Sequence, residues 1–274
     1  GNMGNSIRFY GTNILLNPFF GPTVNAAQAI ANQVNTAVFS FVSNFQMAIK
    51  PQITKQYAAG DMAETVSLIY RCARYSFFLM MIMVVPVLTN TDYLLRLWLQ
   101  NVPAHTAAFL RLTLIATLLV TMWGGLATVV QATGRIRLFQ ICISGLMLMN
   151  LPVSYIALRI WDQPTAVFYI AIAIEVVSLV TRAVLANRQV NIRLARYLLT
   201  VVGRNVLLFV PAIVVAHLTS EWLPDNFAGF ILSCLISATW SLLIILGLGL
   251  TRAERTFIAA KIGQKLTFRN NQPS

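Results

Sequence analysis

The sequence predicts an all-α integral membrane protein, a bundle of about eight transmembrane helices, and two observations carry that expectation. Mean hydropathy is +0.70, with 57% hydrophobic and only 10% charged residues among 274. That leaves too few polar side chains to cover a soluble domain of this size. The apolar residues also fall into eight stretches separated by short connections, each near the roughly 20 residues that a helix needs to cross a bilayer. Lipid offers backbone amides no partner, so such segments have to be helical.

The spans are expected at about 1–20, 25–48, 72–91, 106–130, 138–158, 165–186, 199–218 and 226–250, with a basic tail over 251–274. Sixteen of the 20 Lys and Arg residues fall on alternate connections. They comprise Lys50, Lys55, Arg71 and Arg74, then Arg135 and Arg137, then five arginines from Arg182 to Arg204, then five residues from Arg252 to Arg269. The other connections hold Arg96 and Arg159 together with Asp92, Asp162, Glu221 and Asp225. Basic loops stay on the cytoplasmic side, so both ends of the chain are expected in the cytoplasm. The net charge of +12 is thereby explained by topology. The basic residues form no groove, and no nucleic-acid partner is expected.

The opening segment GNMGNSIRFYGTNILLN enters an apolar run at once. It has no charged n-region and no A-x-A cleavage site, so it is no signal peptide; it reads as a fragment that begins inside a helix. Lys50-Pro51 is expected to end the second helix, because proline removes a backbone donor and biases its predecessor away from α. Asp61 with Glu64 forms a capping pattern that starts the next helix near Met62. TDYLLRLWLQNVP (91–103) reads as a short interfacial helix anchored by Trp98. Pro86, Pro152 and Pro211 lie within spans and should kink them. In the tail, Phe257, Ile258, Ile262 and Leu266 are placed to touch lipid while Lys261 and Lys265 meet anionic headgroups, which makes membrane lipids a partner.

Polar residues inside spans supply the candidate site. Gln28, Asn32, Asn35, Ser43 and Gln46 recur at helical spacing on one face of the second span, interrupted by Phe39, with Val34, Val38, Phe41 and Phe45 opposite. Lipid would penalise such a face, so it must meet protein or water. Interhelical hydrogen bonding is one account and the lining of a hydrophilic cavity is the other. The first span adds Asn13, Asn17 and Arg8, the last about ten residues from the Gly21-Pro22 turn, near mid-membrane at about 1.5 Å per residue. Glu175 is the sole carboxylate deep in a span. A protonated state, an ion pair with Arg182 two turns on, and a role as a proton or cation relay (the coupling residue) are all open. Cys72, Cys142 and Cys234 lack paired or metal-ligand spacing, and His105 and His217 sit at helix ends. There is no metal cluster, no nucleotide-binding glycine loop and no outward carboxylate pair. No enzymatic activity, metal or cofactor is expected.

NILLNPFFGPTVNAAQAIANQV, then FVSNFQMAIKPQITKQYAAGD, LRLWLQNVP and VVQATGRIR together resemble the polysaccharide and O-antigen flippases of the multidrug/oligosaccharidyl-lipid/polysaccharide exporter superfamily. The match is densest over 11–61. Such proteins have two pseudo-symmetric helical lobes around a central cavity, and this chain resembles the second. The resemblance implies translocation of a polyprenyl-pyrophosphate-linked oligosaccharide across the bacterial inner membrane. It also implies a first lobe as partner, Arg8 attracting the pyrophosphate, and Asn13, Asn17, Gln28, Asn32, Asn35 and Gln46 solvating sugars. A drug or cation exporter of the same superfamily, with Glu175 carrying the ion, and a non-transporting fragment are the alternatives.

Overall fold

A computed structural model describes residues 15–250 and 254–256. Arg8, Asn13, most of the expected first span and most of the tail lie outside the described residues. Within them every regular element is helical.

The helices run α1 (Pro22–Ala58), α2 (Met62–Thr89), α3 (Thr91–Trp98), α4 (Thr106–Thr121), α5 (Gly124–Ala132), α6 (Arg137–Trp161) and α7 (Ala166–Val190). α8 (Leu194–Glu221) and α9 (Phe227–Gly249) complete the bundle. Five of these are long and apolar enough to cross a membrane, and the bent pair α4–α5 makes a sixth. The protein is thus a multi-pass all-α membrane bundle. Of the expected eight spans, the first lies mostly outside the described residues, and α1 is too polar to meet the same test.

Local chemistry sets the ends. Gly21 turns the chain at φ 80°, which favours glycine, and Pro22 opens α1 at its first position, where a missing N–H costs nothing. α1 does not stop at Lys50-Pro51. Pro51 lies inside the helix, which continues to Ala58. Past the proline, fully buried Ile53 packs with Ile69, Leu126 and Tyr197, and Thr54 donates to the Lys50 carbonyl. Burial of that turn outweighs one lost backbone bond. Asp61 caps α2 by accepting from the Glu64 amide at 3.0 Å. The reciprocal half of the box is absent, because the Asp61 amide donates to the Gln56 carbonyl.

α2 occupies the centre, touching α1, α4, α5, α8 and α9. Its Phe77, Met80, Met81, Val84 and Val85 are almost fully buried. The hairpin α6–α7 packs on α4 and α5 through α7, and the hairpin α8–α9 packs on α2. α9 buries Gly229, Ser233, Ser237 and Ser241, one residue per turn. Such small side chains let helices approach closely in a membrane. The outer faces of α6, α8 and α9 expose Ile156, Ile160, Leu207, Val210, Leu218, Leu235 and Leu243, which suits lipid contact.

The span expected at 106–130 is broken. α4 and α5 meet at 40°, and no proline marks the place. Gly124 and Gly125 follow the break, and each is pressed against a neighbour. A Cβ on Gly124 would lie 2.5 Å from Gln46 Oε1, and one on Gly125 would lie 3.2 Å from the Ile69 carbonyl oxygen. The carbonyls left over at the break are satisfied by side chains: Gln46 Nε2 donates to Thr121 O at 3.1 Å, and the Tyr197 hydroxyl donates to Met122 O.

Candidate functional site: a polar cavity inside the bundle

Gln28, Asn32 and Asn35 stand one turn apart on α1 and face α4 and α7. Between these helices lies a cavity of about 310 Å³. α1 contributes the three amides and Phe39, α4 contributes Thr113 and Thr117, and α7 contributes Phe168 and Glu175, with Trp123 from the α4–α5 break. Gln28 and Asn32 are buried, and Glu175 is 1% exposed. Gln28 Oε1, Asn35 Oδ1 and Thr113 Oγ1 are buried with no partner among the described residues. An unsatisfied buried polar atom costs about 1–3 kcal/mol, so this wall calls for water or a polar ligand.

Glu175 closes the cavity. Its Oε1 accepts from the Trp123 indole N–H at 2.8 Å and from Arg182 Nη1 at 3.4 Å. Of the readings left open by the sequence, the geometry includes the ion pair with Arg182. The Arg182 guanidinium also lies 3.6 Å from the Trp123 ring centroid, a close cation–π contact. One indole therefore links the carboxylate, its cation and the helix break.

Other expected site residues lie elsewhere. Gln46 is not at the cavity; besides Thr121 it donates to Ser76 Oγ at 3.1 Å, so its amide joins α1 to α2 and the break. Asn17 is exposed in the helical stretch 15–20, and its carbonyl accepts from the Gly21 amide. Arg8 and Asn13 lie outside the described residues. Arg74 and Arg182, counted with the basic connections, are buried inside helices. Arg74 donates to the Gly249 carbonyl and pairs with Glu254, both at 2.9 Å.

Three features of the site escaped the sequence reading. Trp123 had no signal except its place before Gly-Gly. Thr113 and Thr117 had one, two hydroxyls four residues apart in an apolar span. The third is a second polar face on α1, where Gln33, Thr36, Ser40 and Asn44 are all exposed. Among the described residues no group of three or more His, Cys, Asp or Glu could hold a metal ion.

Comparison with protein-family models matches residues 2–156 to MatE. No match was found among curated proteins or among solved structures. The matched stretch spans more than half of the chain, from α1 through most of α6, and so contains the amide and threonine walls of the cavity; Glu175 and Arg182 lie beyond it. With its bundle of membrane-spanning helices around a polar cavity, the chain belongs to the MatE family of membrane transporters, within the multidrug/oligosaccharidyl-lipid/polysaccharide exporter superfamily.

Proposed function

We propose that this chain is a lobe of a carrier, without enzymatic activity, that flips a pyrophosphate-linked oligosaccharide lipid across the bacterial inner membrane. The observation that carries this reading is α1. It has 37 residues, about 55 Å of helix, and carries a polar row on its packed side and another on its exposed side, the latter flanked by Phe41 and Met47. Of the exposed row Gln33, Thr36, Ser40 and Asn44, Thr36 and Ser40 return their protons to backbone carbonyls, but the Gln33 and Asn44 amides would be costly in hydrocarbon. That face therefore borders an aqueous path or a polar partner such as a first lobe. A cavity of about 310 Å³ is at the lower limit for small-ligand sites, roughly 300–1,000 Å³, and too small for an oligosaccharide. The glycan is therefore assigned to the exposed face of α1, and the inner cavity to water or one sugar unit. Arg8 is the candidate for the pyrophosphate, since a guanidinium stays charged and forks onto phosphate oxygens. The basic connections and both chain ends are assigned to the cytoplasm.

A second reading, export of a drug or cation against an ion gradient, rests on Glu175, whose carboxylate lines the cavity and would exchange Arg182 for the cation. Complementation of surface-polysaccharide export separates the two. Ser40→Leu with Asn44→Leu, and separately Asn32→Leu or Asn35→Leu, should reduce export at normal membrane levels. Unimpaired export in all of them, with loss of drug efflux in Glu175→Gln, would favour the antiporter.

A further inference from the structure

The end of the bundle remote from the basic connections holds a second hollow, of about 330 Å³, between α3, the ends of α2 and α8, and the first turns of α9. α3 has eight residues, too few to be helical alone, and is held in place by its contacts. Tyr93 stacks on Phe230, with centroids 5.0 Å apart and rings inclined by 23°. Arg96 Nη2 reaches both oxygens of Asp225, at 3.0 and 2.8 Å. Arg111 Nη2 meets Asp92 at 2.5 Å.

At the base lies Ser233, 2% exposed, whose hydroxyl has no partner among the described residues. A mid-helix serine commonly returns its proton to the carbonyl one turn back, as Ser241 does to Ser237 at 2.8 Å. Ser233 does not, and it lines the hollow.

These features select a ligand class. Asp92 and Asp225 are each matched by an arginine, and Glu221 lies 3.5 Å from His217, an ion pair only when that imidazole is protonated, so a charged ligand would compete with partners already in place at both aspartates. An apolar ligand would strand the Ser233 hydroxyl. The walls offer donors and acceptors in near charge balance, beside the apolar Tyr93–Phe230 pair. A neutral polyhydroxylated ring has hydroxyls for the first and a C–H face for the second. We propose that this hollow is a saccharide-binding site for one or two neutral sugar rings. It is separate from the inner cavity and independent of which cargo the transporter moves.

The test reads binding rather than transport. The protein is placed in nanodiscs of phosphatidylethanolamine and phosphatidylglycerol, avoiding sugar-headed detergents, and glucose, galactose, mannose and N-acetylglucosamine are titrated by saturation-transfer NMR. At least one sugar should bind saturably. Ser233→Ile, which fills the base, and Tyr93→Ala, which removes the wall, should each weaken it by about tenfold or more. Leu207→Ala, on the exposed face of α8 and away from both hollows, should leave it unchanged. Helical circular dichroism accompanies each variant, and Tyr93→Ala, on the surface helix, keeps the test open if Ser233→Ile does not fold. Absence of saturable binding by every sugar would overturn the proposal. So would affinity unmoved by Tyr93→Ala, or displacement by phosphocholine in place of unlabelled sugar.

Discussion

Arg182→Met is expected to destabilise the bundle by about 3–5 kcal/mol, the usual consequence of removing one member of a buried ion pair. The Arg182 and Glu175 side chains are 5% and 1% exposed, 3.4 Å apart, so the substitution takes a cation from beside a buried carboxylate. Arg182→Met also removes the cation over Trp123, so the indole at the helix break loses support. Glu175→Gln should cost a similar amount, because the amide keeps an acceptor for the Trp123 N–H but takes the carboxylate from beside a buried guanidinium that cannot shed its charge. Combining the two should recover most of the loss, since a neutral pair of similar volume avoids uncompensated charge. Equilibrium unfolding in mixed SDS micelles measures all three. Additive losses in the double variant would show that the pair is not energetically coupled.

The second large effect is expected at the α4–α5 break. Gln46→Ala leaves the Thr121 carbonyl and the Ser76 hydroxyl without the donor they share, a loss of about 1–3 kcal/mol. Gly124→Ala should produce a similar loss by a different route, because its Cβ would overlap the Gln46 amide, 2.5–2.7 Å away, and evict it. Once Gln46 is alanine, that overlap no longer exists. Gln46→Ala with Gly124→Ala should therefore be about as stable as Gln46→Ala alone, a non-additivity expected only of residues in contact. Thermal unfolding of the two single variants and the double variant, measured under one set of conditions, checks this. A double variant that loses the sum of both would place the cost of Gly124→Ala elsewhere than at Gln46.

Much of this architecture is written in local patterns. Apolar runs of bilayer length gave the helices from α2 onward, Asp61 gave the start of α2, and 91–98 gave the surface helix. Gln28, Asn32 and Asn35 share a face, and that face does meet a cavity. Gln46 lies at nearly the same angle on α1, but about 18 residues beyond Gln28 it is about 27 Å further along the axis, opposite the break rather than the cavity. Helical periodicity encodes direction around the axis and says nothing of what stands opposite at a given depth. The break was hidden for a related reason: it depends on two glycines meeting Gln46 and Ile69, contacts far apart in sequence. Pro51 misled because a local cost was outweighed by tertiary burial of Ile53. The Glu175–Arg182 pair stays one of three open readings in the sequence, because a spacing of seven residues on one helix does not say that both side chains are buried together.

The central claim is that the exposed face of α1 borders a hydrophilic path. Single cysteines can be placed there after Cys72, Cys142 and Cys234, all free thiols, are replaced by serine or alanine. Cysteine at Gln33, Ser40 or Asn44 should react with a small hydrophilic methanethiosulfonate reagent in intact membranes. Cysteine at Leu207 or Val214, both exposed on α8, should not, because lipid excludes the reagent. Reactivity on α1 as low as that on α8 would contradict the account.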